Sequence, residues 1–122
     1  MKTKIRVVFL TDEGEKFYGP GVQYLLAGIR EHGSVKNACA AMDLSYSKGR
    51  NILKRAEGVL GCRLVKRQQG GVTGGSSVLT PEAESFMERY QNLTDSINEY
   101  SGRRVEEEFP DLWKPRDEGG SL

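Results

Sequence analysis

Three breaks in the middle of the sequence, at Gly33-Ser34, at Asp43-Leu44-Ser45 and at Gly61, leave few folds open to this chain. Val22, Leu25, Leu26 and Ile29 recur at helical spacing and predict a helix ending at His32 and Gly33, where glycine suits a helix C-terminus. Ser34 follows at once. Its hydroxyl can accept the first free N–H groups of a second helix, whose narrow inner face is Val35, Ala38, Cys39 and Met42. Asp43-Leu44 breaks that helix, Ser45 is another good N-cap, and a third helix is expected from about Tyr46 to Leu60 before Gly61. Two helices joined by so short a turn match a helix-turn-helix.

The third helix sorts into faces. Gly49, Leu53, Ala56 and Leu60 recur at intervals of four, three and four, so they are expected to pack inward, with Gly49 giving room for the second helix to cross. Ser47, Arg50, Asn51 and Lys54, flanked by Lys48, form a polar, cationic face carrying a side-chain amide.

The flanks complete the pattern. Lys4 to Leu10 and Lys16 to Tyr18, separated by the turn residues TDEGE, predict an N-terminal β-hairpin. After Gly61, CRLVKR and Val78-Leu79 predict a second hairpin with QQGGVTGGSS as a Gly-rich tip, the shape of a wing. Thr80 then caps a last helix with Pro81 at its first position and Glu82 and Glu84 in its first turn. Along it Ala83, Phe86, Tyr90, Leu93, Ile97 and Tyr100 repeat three-four-three-four-three, a pattern that a surface helix packed on one core also satisfies, although the seam is longer than a small core needs. The expected fold class is therefore mainly α with small β: a winged helix-turn-helix with an N-terminal β-hairpin, a Gly-rich wing and a long C-terminal helix, to which the resemblance given below assigns dimerisation. Residues 1–101 are expected to form one winged-helix domain that includes this helix, and 102–122 a charged, flexible tail whose sticky residues are Phe109, Leu112 and Trp113.

Charge decides what such a frame can bind. The net charge of the 122 residues is only +1, yet eight cations face two acids from Ser34 to Arg67, and one cation faces five acids from Pro81 to Gly102. Cys39 and Cys62 lack metal-ligand spacing and His32 is the only histidine, so neither a zinc set, a cofactor nor a disulfide framework is expected. Catalysis has no supporting constellation, and the chain does not read as an enzyme. The apolar run from Val7 to Leu10 is far too short for a signal peptide or a membrane span, which points to a cytoplasmic protein without membrane association.

The outward cations sit where a helix enters a DNA major groove. Arg50 has the geometry for guanine, Asn51 for adenine and Ser47 for a base or phosphate, while Lys48, Lys54 and the Tyr46 hydroxyl suit phosphates. With Ser45 at the helix start, these are the expected contacts to double-stranded DNA on the third helix. On the wing they are Lys66, Arg67, Gln69, Gly70, Gly71, Gly74 and Gly75, whose cations and exposed backbone N–H groups suit the DNA backbone or minor groove. GxxxxGK[ST] is absent, so the glycines do not form a nucleotide P-loop. A protein-interaction module using the same scaffold and docking a protein partner through the tail is the alternative.

The motifs FYGPG leading into LLAGI, then GSVKNACAAM, LSYSK, RLVKRQQGGVTGG and LTPEA, run between Lys4 and Leu93. In these the chain resembles the N-terminal winged-helix DNA-binding domain of ModE-type, molybdate-responsive transcriptional regulators, a module related to that of LysR-type regulators. The resemblance implies a homodimer paired through the last helix, with Phe86, Tyr90, Leu93, Ile97 and Tyr100 at the dimer interface, and a palindromic DNA site. It further implies sequence-specific transcriptional regulation. The chain departs from the family pattern where tryptophan often follows SY, since Ser47-Lys48-Gly49-Arg50 stands there, and where Asp43 replaces a usual turn glycine. The family's oxyanion-binding domain is expected to be absent from a chain of this length, so molybdate sensing is not carried over from the resemblance.

Overall fold

The computed structural model describes residues 2–68 and 76–112. In chain order the elements are β1 (Phe9–Leu10), β2 (Lys16–Tyr18), α1 (Pro20–His32), α2 (Val35–Ala41), α3 (Tyr46–Leu60), β3 (Val65–Arg67), β4 (Ser77–Leu79) and α4 (Pro81–Glu108). The described chain falls into two compact units, Arg6–Tyr90 and a second that joins the residues up to Ile5 to those from Gln91 onward.

In the unit Arg6–Tyr90 the helix boundaries lie where the caps put them. Gly33 and Gly61 adopt left-handed φ values of 76° and 73° and return their N–H groups to Ile29 and Glu57. Ser34 Oγ accepts the Asn37 N–H at 3.0 Å, and Ser45 Oγ accepts the Lys48 N–H at 3.2 Å. Asp43, at φ 59°, makes the turn between α2 and α3 in the left-handed region, where its short polar side chain is tolerated better than most. At Gly28 a Cβ would lie 3.2 Å from the Ala38 Cβ, so α1 and α2 approach closely through small residues.

The core of this unit joins Leu25, Leu26 and Ile29 of α1 to Ala38 and Cys39 of α2, Leu53 and Ala56 of α3, and Leu64 beside the wing. Burial pushes the Cys39 thiol pKa up from its ordinary value. Tyr18 is fully buried and packs at a steep angle against the rings of Phe86 and Tyr90, with centroids 4.5 and 5.0 Å away. Its hydroxyl donates to Gln23 Oε1, and Gln23 Nε2 in turn donates to the Met87 carbonyl at 3.1 Å. Burial first, and the neighbouring Tyr90 second, raise the Tyr18 pKa, so it remains a donor.

The wing is an antiparallel pair with register Val65↔Leu79, Lys66↔Val78 and Arg67↔Ser77. It is tied down at several points. Ser77 N–H donates to the Gly33 carbonyl at 2.7 Å, at the junction of α1 and α2. Thr80 is buried, donates through its hydroxyl to the Arg63 carbonyl at 2.7 Å and accepts the Ala83 N–H at 3.1 Å, so one residue both closes the wing and caps α4. Glu57 Oε2 accepts the N–H groups of Leu64 at 2.8 Å and Val65 at 3.3 Å, fixing where the wing leaves α3.

Two expectations need correction. The first strand spans only Phe9–Leu10 rather than Lys4–Leu10, because β2 offers just three residues and its register slips between Phe9↔Tyr18 and Leu10↔Lys16. Ahead of it the Val7 carbonyl accepts the Tyr90 hydroxyl at 2.6 Å instead of a ladder bond. The last helix does not stop near Gly102: it continues to Glu108, held by Arg103–Glu99 at 3.0 Å and by Arg104 bridging Glu107 and Glu108 at 2.7 and 2.6 Å.

Along α4 the buried residues are Ala83, Met87 and Tyr90, and Phe86 meets Phe9 edge-on at 5.7 Å, so Phe86 and Tyr90 of the expected dimer seam pack within the unit Arg6–Tyr90. In the second unit Leu93 and Tyr100 are exposed, at 40% and 56%, and Ile97 is half-buried. There the Asn98 side chain accepts the Ile5 N–H at 2.8 Å and donates to the Ile5 carbonyl at 3.1 Å, as a neighbouring strand would. Ser101 adds a hydroxyl bond to Thr3 at 2.7 Å. The tail residue Trp113 lies outside the described residues.

Candidate nucleic-acid interface

An open groove of about 1050 Å³ runs between the start of α2, one side of α3 and the wing. From α2 it receives Lys36 and Asn37, from α3 Tyr46, Arg50 and Lys54, from the approach to the wing Arg63, and from β3 Arg67. Five cations thus line it with a single carboxylate, that of Glu57. The carboxylate is already engaged by two backbone N–H groups, with the Arg63 guanidinium 3.7 Å away. Its charge is therefore partly neutralised, and the groove is left strongly electropositive.

Arg50 is held in this groove by its own helix. Its guanidinium carbon lies 5.8 Å from the centroid of the Tyr46 ring, and Nη1 makes a long bond of 3.5 Å to the Tyr46 hydroxyl. The residues are four apart, so one turn of helix stacks them on the same face. Such stacking lowers the freedom an arginine loses when it takes up a planar, bidentate partner.

The other side of α3 faces the N-terminal hairpin across a second groove of about 530 Å³, into which α3 directs Lys48, Asn51, Ile52 and Arg55. The expected site residues are thereby divided. Tyr46, Arg50, Lys54 and Arg67 line one groove and Lys48 and Asn51 the other, because consecutive helical residues diverge by about 100°. Ser47 and Lys66 are exposed, and the Ser45 hydroxyl is occupied as the N-cap of α3. Gln69, Gly70, Gly71, Gly74 and Gly75 lie outside the described residues.

Lys36, Arg55 and Arg63 belong to these grooves and were absent from the sequence-based set. Each was visible as a cation, but only the packing of α2, β2 and the wing around α3 brings it to the same surface. Among the described residues no helix is long and apolar enough to cross a membrane, and no cluster of three or more metal-ligating side chains occurs.

No protein-family model matches the sequence, and no curated protein proved similar to it. Solved structures do share its fold. The DNA-binding domain of CbnR, in the crystal structure of the CbnR_DBD–DNA complex, is 18% identical with a TM-score of 0.52, over 76% of this chain and 97% of that one. VV2_1132, a LysR family transcriptional regulator, is 17% identical with a TM-score of 0.54, over 84% of this chain. The match spans only 31% of that longer protein. The fold is thus that of winged-helix DNA-binding domains of LysR-family regulators.

Proposed function

We propose that this chain is a sequence-specific DNA-binding transcriptional regulator that acts as a dimer, with α3 as its recognition helix. The observation that carries the reading is the groove formed by α2, α3 and the wing, where five cations surround one engaged carboxylate. Arg50, exposed in the N-terminal part of α3, reads a guanine edge, and Lys54, Lys36, Arg63 and Arg67 meet phosphates. Asn51, which lines the second groove, reads a neighbouring base edge. The fold shared with a domain that binds DNA in its crystal structure supports the assignment.

The dimer is proposed to form through the part of α4 beyond Tyr90, where Leu93 and Tyr100 leave apolar surface exposed beside Ile97. A two-fold pair presents two copies of α3, which fits a palindromic site. Similarity in GSVKNACAAM, LSYSK and the Gly-rich wing motif supports a ModE-like module within this class.

Salt tests the reading. If about five phosphates are neutralised per subunit, raising salt from 50 to 200 mM weakens duplex binding roughly 500-fold, from a slope of about −0.9 per phosphate. Absent or salt-insensitive binding contradicts it and shifts the weight to protein docking, for which Phe109 and Leu112, 44% and 68% exposed, are the available apolar side chains.

A further inference from the structure

We propose that the groove between the N-terminal hairpin and α3 binds a small aromatic carboxylate, and that this ligand competes with DNA for the recognition helix. The first ground is shape and size: about 530 Å³ lies inside the roughly 300–1,000 Å³ typical of small-molecule sites. Phe17 of β2, Pro20 and Val22 of α1 and Ile52 of α3 give it an apolar lining. Phosphate backbone alone has no use for such a lining; an apolar ring does.

The second ground is charge. Lys48, Asn51 and Arg55 follow one another along the same side of α3, with Lys48 and Arg55 about 10 Å apart along the axis and the Asn51 amide between them. A carboxylate seated near Asn51 lies within reach of both cations, and the guanidinium suits its planar, two-oxygen geometry. Lys16 adds a third cation to the lining against one acid, Glu15. An apolar lining beside this cationic row is complementary to a ligand with a ring at one end and a carboxylate at the other.

The regulatory consequence rests on the DNA-binding reading, whereas the ligand site does not. Lys48 and Asn51 line this groove and are also expected DNA contacts of α3: occupied by a carboxylate they are lost to DNA, and the two ligands must weaken each other by the same factor.

The test uses the full chain, labelled with ¹⁵N and titrated without DNA by 2-naphthoate, by the neutral 2-naphthalenemethanol and by inorganic phosphate. Expected are saturable amide shifts at Phe17, Lys48, Ile52 and Arg55 with naphthoate, at a Kd on the order of 1 mM or tighter. The neutral analogue and the exposed-site variant Arg55→Ala each weaken binding about five- to tenfold, and phosphate fails to saturate these signals. Shifts centred on Arg50 and Lys54, no saturation, or unchanged affinity in Arg55→Ala overturn the site. Naphthoate is then added to the protein with duplex: a rise in the DNA Kd supports competition, and an unchanged Kd overturns it. A protein that binds naphthoate but no duplex at low salt refutes the DNA-binding reading and the competition while leaving the ligand site standing.

Discussion

A Cβ placed on Gly49 would lie 2.2 Å from Sγ of Cys39, far inside any real contact, so α3 crosses α2 at a point where no side chain fits. Gly49→Ala is expected to destabilise the fold. Overpacking costs about 1–3 kcal/mol, against which the better helix propensity of alanine offsets about 1 kcal/mol. In a Cys39→Ala background the same change should be neutral or stabilising, because the obstructing atom is gone. Urea denaturation of the four proteins in this cycle measures the coupling; equal effects in both backgrounds contradict the contact.

Glu57 holds the wing through the Leu64 and Val65 N–H groups and also supplies the carboxylate of the cationic groove. Glu57→Ala leaves two backbone donors unpaired beside the buried Leu64 and should cost about 1–3 kcal/mol. Glu57→Gln keeps an acceptor while removing the charge. It should retain most of the stability and bind duplex DNA more tightly than wild type. Hydrogen exchange at the Leu64 and Val65 amides, read beside anisotropy with DNA, separates the two roles.

Stacking of Arg50 on Tyr46 makes the tyrosine a positioning residue. Tyr46→Ala should weaken DNA binding several-fold, in keeping with about 0.5–1 kcal/mol for an exposed cation–π contact. Tyr46→Phe keeps the ring and should retain most of the affinity. Equal losses in both variants would place the importance in the hydroxyl instead.

Exposed Leu93 and Tyr100 contrast with buried Tyr90 on the same helix. Leu93→Asp with Tyr100→Asp should give a monomer by sedimentation while the unit Arg6–Tyr90 stays folded. Tyr90→Phe removes the hydroxyl bond to the Val7 carbonyl and should cost about 1 kcal/mol without changing the association state. A dimer that survives the double aspartate variant puts the interface elsewhere.

How far the sequence reached depended on whether a signal was local. Gly33, Ser34, Ser45, Gly61 and Thr80 act on their own or adjacent backbone, and each cap stands where the local pattern put it. The seam on α4 was legible as a period but not in its division, since a heptad pattern does not say where one core stops. Tyr90 turns inward only because Tyr18 and Phe9 arrive from distant sequence. The helical extension to Glu108 depended on Arg–Glu pairs three and four apart that were hidden within a charged, Pro-flanked segment. Arg50 and Asn51 looked like one face because both are polar, whereas the packed hairpin and wing assign them to different grooves beside α3.

The most direct test of the central claim compares Arg50→Ala and Lys54→Ala on a selected palindromic duplex and on random duplex, by fluorescence anisotropy at fixed salt. The account predicts that Arg50→Ala costs about 1–3 kcal/mol on the selected site and much less on random DNA, while Lys54→Ala weakens both alike. Equal losses on the two duplexes for Arg50→Ala would contradict α3 as the element that reads sequence.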